Sequence, residues 1–196
     1  TYESNLYKQK NQPKQSQSKK TVERILGDNE SNYILLTMHR GENVDIKEKM
    51  DLLHEILQKL NTPVIWPMHP RTKKRLEEFG LFERYKKVPN LFMSEPVGYL
   101  DFLNLEMNAD LIITDSGGIQ EESTCLNIPC LTLRDETERP ITVEQGSNTV
   151  VGLNNKEDIL KGVYDSLNNK KNCTVPDLWD GHTAERIVKI LADNMR

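Results

Sequence analysis

Six short apolar runs, separated by segments of helical periodicity, constrain this chain more than anything else in it. The runs fall at residues 33–37, 64–66, 91–93, 111–114, 130–133 and 149–151, bounded mostly by turn formers. Short apolar runs without alternation suit strands buried on both faces, the condition of a parallel sheet. The spacing predicts helices over residues 72–79, 99–107, from 119 onward and over 157–167, while residues 134–147 read as irregular. Strands alternating with helices imply βα steps and crossover connections. The expected fold is α/β: a Rossmann-like doubly wound parallel sheet of about six strands in the order 3-2-1-4-5-6.

In that order strands 1 and 4 are neighbours at the reversal, where ligands of open α/β sheets collect beyond the carboxyl ends of the strands. Both strands end in residues that carry chemistry. The first runs into Met38-His39-Arg40-Gly41-Glu42-Asn43, and the fourth into Asp115-Ser116-Gly117-Gly118. Asp115 and Ser116 are good helix N-caps, and the paired glycines clear side chains from the backbone. The N–H groups and positive dipole end of such a helix attract phosphate. Glu122 follows one turn into the helix, where a carboxylate suits the hydroxyls of a ribose. Read alone, the stretch also fits a strand-to-helix turn whose glycines serve only a sharp bend.

Composition narrows the class. A net charge of −4 with 29% charged residues gives no general electrostatic case for nucleic acid. No segment resembles a membrane span or a signal peptide. Three cysteines, Cys125, Cys130 and Cys173, are odd in number and lack zinc-type spacing, as reduced thiols of a cytoplasmic protein would be. No metal constellation is read in the sequence. Residues 1–30, rich in Lys, Gln, Ser and Asn, are expected to form a polar linker or disordered tail with a short helix over 21–26, leaving 31–196 as the folded domain. Asp45 with Glu48 reads as a capping box. His54, off the apolar stripe of its helix, is expected at the surface, as are Lys73, Lys74 and Arg75. His182 is expected near the cap of a last amphipathic helix carrying Ala184, Ile187, Val188 and Leu191.

The run from Thr37 to Asp45, the segment His69-Pro70-Arg71-Thr72, the stretch from Asp110 to Glu122 and the run Arg134-Asp135-Glu136-Thr137-Glu138-Arg139-Pro140 together resemble the non-hydrolysing UDP-N-acetylglucosamine 2-epimerases. The likeness is dense over residues 33–151 and thinner at Trp179-Asp180-Gly181 and the last helix. The resemblance implies one half of a GT-B architecture, in which two Rossmann-like halves flank a cleft. This chain corresponds to the C-terminal, UDP-binding half.

Carried over by position, the resemblance implies diphosphate contacts from His39, Ser116, Gly117 and Gly118 and a ribose contact from Glu122. It further implies substrate contacts from Arg40, Asn43 and Arg139, with Phe102 beside the uracil and His39 as the catalytic residue of this half. His69 is either a contact to the nucleotide or to a second nucleotide-sugar acting as effector, or part of a rigid turn set by Pro67 and Pro70. Gly41 departs from the bulky or Arg residue that many members carry, so no charge role passes to it. The implied reaction interconverts UDP-N-acetylglucosamine and UDP-N-acetylmannosamine without a cofactor, in a cytoplasmic homodimer serving polysaccharide biosynthesis. The family's proton-transfer carboxylates lie in the N-terminal half, so this stretch alone is expected to bind UDP without turnover. A GT-B glycosyltransferase half, a hydrolysing epimerase and a stand-alone nucleotide-binding module stay open. The His39-Arg40 pair beside Asp115-Ser116-Gly117-Gly118 is closer to the epimerases than to the transferases.

Overall fold

A computed structural model of the chain describes residues 32–168 and 174–195; the expected tail, the helix over 21–26 and Cys173 lie outside the described residues. Six parallel strands form one sheet: β1 (Ile34–Thr37), β2 (Val64–Pro67), β3 (Leu91–Ser94), β4 (Leu111–Thr114), β5 (Cys130–Thr132) and β6 (Asn148–Val150). Their order is β3-β2-β1-β4-β5-β6, the order expected from the sequence. The central pair aligns Ile34 with Leu111 and Thr37 with Thr114, so both strands end at one level.

Period-2 alternation distributes each strand between two cores. Ile34, Leu36, Val64, Trp66, Leu111 and Ile113 face one layer, with α1 (Gly41–Val44), α2 (Lys47–Leu57), α3 (Pro70–Glu78), α4 (Phe82–Tyr85) and α8 (Lys156–Asn168) on that side. Leu35, Ile65, Ile112 and Cys130 face the other, against Leu105 of α5 (Tyr99–Asn108) and Ile119 of α6 (Gly117–Leu126). The stretch expected to be irregular holds a further short helix, α7 (Pro140–Glu144), opened by a proline in its first turn. A five-residue helix is too short for its periodicity to register in sequence.

Two local expectations are corrected. Helix α2 begins at Lys47 with no side-chain cap, and Asp45 is instead the C-cap of α1. Its carboxylate is taken by Arg71 and by Arg75, the latter at 2.7 Å, and the Arg71 hydrogen bond in particular holds it below the usual carboxylate range. Lys73 and Lys74 do face solvent. His54 is buried rather than solvated: α4 lies over it, with the His54 Nε2 3.3 Å from the Arg84 carbonyl and its ring edge-on to Tyr85.

The last helix, α9 (Thr183–Asn194), forms as expected, with His182 at the N-cap position pairing with Glu185 rather than capping through its side chain. None of its residues is buried, and Ile187, Val188, Ile190 and Leu191 stand exposed. No helix among the described residues is long and apolar enough to cross a membrane.

Candidate functional site

Strands β1 and β4 deliver their following loops side by side, and one buried carboxylate joins them. Asp115, fully buried, accepts hydrogen bonds from the backbone N–H groups of His39 at 3.1 Å and Arg40 at 2.9 Å. The sequence suggested Asp115 as a helix cap; its side chain instead turns back across the sheet and fixes the start of α1. Asn43 completes the clamp, its Nδ2 donating to the Leu133 carbonyl at 2.7 Å and reaching Asp115 at 3.5 Å. Its Oδ1 accepts from Lys49. Asn43, one of the expected substrate contacts, has no exposed surface in the unliganded chain, and its amide is engaged by the fold. It supports the loop that carries His39.

The His39 side chain is about one-third exposed, with Nδ1 3.6 Å from the Asp115 carboxylate and the ring 5.3 Å from that of His69. Burial lowers its pKa, with His69, Arg40 and Arg71 adding to the effect and Asp115 opposing it. The unliganded imidazole is therefore neutral near pH 7, and a bound anion would favour its protonated form. His69 caps α3, its Nδ1 accepting from the Arg71 N–H at 3.2 Å. It thus builds the turn, and it also stands beside His39.

Ser116 occupies the N-cap position of α6 but makes no side-chain cap; its own N–H is held by Thr114 Oγ1 at 3.0 Å. The glycines that follow are not demanded by the fold. Neither has a left-handed φ, a Cβ on Gly117 would meet nothing within 4 Å, and one on Gly118 would only reach Ser116 Oγ at 4.0 Å. Gly146 behaves differently: a Cβ there would lie 2.6 Å from the Thr142 carbonyl. The open space above Gly117 and Gly118 suits a ligand that approaches the backbone, and the helix start offers N–H donors toward it.

Glu122 lies on the same helix with Oε2 buried and unpartnered, and burial pushes its carboxyl up to about 7. Arg40 is exposed. Arg139 is half-buried and pairs with Glu121 of α6 at 2.6 Å, while Phe102 packs half-buried against the core that holds Leu35 and Leu105. His39, Ser116, Gly117, Gly118 and Glu122 thus gather along β1, β4 and α6. A cleft of about 890 Å³ runs instead along the outer edge of β3, lined by Phe82, Lys86, Phe92, Met93, Glu95 and Asp101; none of the expected contact residues lines it. Sequence reasoning missed the clamping role of Asp115, whose only signal was its place at the end of a strand that neighbours β1.

A doubly wound sheet with an uncapped, glycine-opened helix at its switch point defines an α/β domain of the kind that forms one half of GT-B proteins. The chain belongs to the UDP-N-acetylglucosamine 2-epimerase family, which matches it over residues 3–192. It is 51% identical over 166 residues to the UDP-N-acetylglucosamine 2-epimerase of Methanocaldococcus jannaschii, covering 83% of this chain and 45% of that protein. The crystal structure of the Methanocaldococcus jannaschii UDP-GlcNAc 2-epimerase in complex with UDP-GlcNAc and UDP superposes with a TM-score of 0.80 at 47% identity, covering 91% of this chain and 49% of that one. The chain therefore spans about half the length of the relatives it matches. WaaG, a glycosyltransferase involved in lipopolysaccharide biosynthesis, shares the fold alone, at 16% identity and a TM-score of 0.55.

Proposed function

We propose that this chain is the UDP-binding half of an enzyme that interconverts UDP-N-acetylglucosamine and UDP-N-acetylmannosamine, working as a cytoplasmic homodimer. The observation that carries the proposal is the unfilled space over Gly117 and Gly118, beside His39. In this reading a base in the other half removes the sugar's C2 proton, the C1–O bond breaks, and UDP leaves a 2-acetamidoglucal; a proton then returns to C2 on the opposite face as UDP re-forms the C1–O bond, so that C2 is inverted. Charge develops on the diphosphate as it departs. The N–H groups at Gly117 and Gly118 and the dipole of α6 stabilise that charge, and His39, protonated from solvent as the anion binds, sets a positive charge beside it. Arg40 and Arg139 add positive charge nearby, and Phe102 supplies an apolar wall for the base.

Isothermal calorimetry tests the proposal directly. UDP is expected to bind more tightly than UMP by at least about tenfold, because the β-phosphate gains charge-assisted hydrogen bonds that a single phosphate lacks. Equal affinities would mean that the diphosphate is not the anchor.

The ribose assignment has its own check. Glu122→Gln keeps shape but loses a charge-assisted acceptor, so UDP should weaken by about 1.5–3 kcal/mol, and 2′,3′-dideoxy-UDP, which lacks the hydroxyls, by much less. Only the ionised carboxylate serves as the full acceptor. With its carboxyl pushed up to about 7, wild-type affinity gains a component that rises with pH through that value, and the Gln variant lacks it. Equal losses for both ligands would make Glu122 a structural residue.

A further inference from the structure

We infer that Gln120, Thr137 and Asn148 form a buried latch that sets the Thr137-Glu138-Arg139 turn against α6, making them positioning residues for Arg139. The inference rests on the UDP-binding reading above. Gln120 lies on the inward side of α6 with no exposed surface. Its Oε1 accepts from the Thr137 hydroxyl at 2.5 Å and from Asn148 Nδ2 at 3.1 Å. Thr137 Oγ1 in turn accepts from the Arg139 backbone N–H at 2.9 Å. Asn148, at the start of β6, also donates to Thr142 Oγ1 at 3.1 Å and accepts from the Thr132 hydroxyl at 2.7 Å. The Thr142 hydroxyl closes the circuit on the Arg139 carbonyl at 2.7 Å.

Both backbone polar groups of Arg139 are thus held by threonine side chains, and those threonines are held by two buried amides. Apolar residues could fill this space at less risk, since a buried amide is costly unless its partners are in place. What the amides add is direction. They fix where the turn leaves β5 and crosses α6, and so where the Arg139 side chain emerges. Three successive residues of α6 divide the work: Gln120 holds the turn from below, Glu121 meets the Arg139 guanidinium at 2.6 Å, and Glu122 presents its carboxylate two residues beyond the turn's anchor. A nucleotide diphosphate at the start of the same helix would draw Arg139 from Glu121 without moving the turn itself.

The test uses the full chain with UDP as the probe and a double-mutant cycle. Thr137→Val keeps the shape and removes the hydroxyl, Thr137→Ser restores it, and Arg139→Ala removes the guanidinium. Thr137→Val and Arg139→Ala should each weaken UDP about tenfold, the double variant should be no weaker than either alone, and Thr137→Ser should stay within about twofold of wild type. The urea midpoint, measured alongside, reports any purely structural effect. The latch is overturned if the two losses multiply, if Thr137→Val shifts only the urea midpoint, or if Arg139→Ala leaves UDP binding unchanged in a chain that binds UDP. Failure of the wild-type chain to bind UDP at all would overturn the nucleotide reading and the latch together.

Discussion

Gly117→Val should abolish measurable UDP binding while leaving the fold intact. Each backbone hydrogen bond to a charged group is worth about 1.5–3 kcal/mol, so losing close approach at Gly117 and its neighbour lowers affinity by at least about a hundredfold. The fold has no reason to object, because φ at Gly117 is not left-handed and nothing stands within 4 Å of the new Cβ. Helix propensity does not oppose the change either, since glycine is a poorer helix former than valine. Gly146→Val is the matched control: its Cβ would strike the Thr142 carbonyl and the Thr124 side chain, so it should unfold the chain outright. Calorimetry and thermal melts on the two variants separate a glycine kept for a ligand from a glycine kept for packing. A folded Gly117→Val chain that binds UDP normally would remove the diphosphate from this helix.

The second large effect is on stability and concerns Glu106, which the proposed chemistry does not use. Its side chain on α5 is fully buried, neither oxygen has a hydrogen-bond partner among the described residues, and burial pushes its carboxyl up to about 8. The folded state therefore holds a proton that the unfolded chain releases near its ordinary value of 4.5. Below about pH 4.5 the group is neutral in both states and costs nothing through linkage. As pH rises toward 8, the unfolded state alone gains by ionising, and the folded state loses on the order of 4 kcal/mol relative to it. Glu106→Met has similar length and no polar atom to strand. The advantage of Glu106→Met over wild type should widen by that amount between pH 4.5 and pH 8.5 in urea unfolding. A gap that stays constant with pH would show that the carboxyl titrates normally.

The parts of this molecule that follow from periodicity could be read from the chain, and the parts that follow from partner choice could not. The strand runs, their order and the meeting of His39 with Ser116, Gly117 and Gly118 at the switch point all rest on local pattern and on topology rules. The clamp made by Asp115 and Asn43 was not legible because a short polar side chain after a strand can cap, bind or clamp, and only the neighbouring strand decides which. His54 was misjudged for a related reason. Its cover is α4, a four-residue helix that leaves no periodic trace and arrives about thirty residues later in the chain. The Gln120 network has the same character, since its members come from α6, β5, the Thr137 turn, α7 and β6.

The Asp115 clamp also bears on the order of events during folding. The groups it joins are 76 residues apart in sequence, and the β1–β4 pairing beneath it cannot form until the chain between them has closed. Long-range parallel pairing is slow, because loop-closure entropy precedes any reward from contact. Neither βα half on its own contains a partial version of this junction; His39 and the start of α6 acquire their mutual geometry in one step, when the central strands meet. A nucleotide that binds there engages only chains that have completed that step. In refolding from urea, UDP should therefore slow unfolding far more than it speeds folding, and its binding can serve as the clock for the meeting of the central strands.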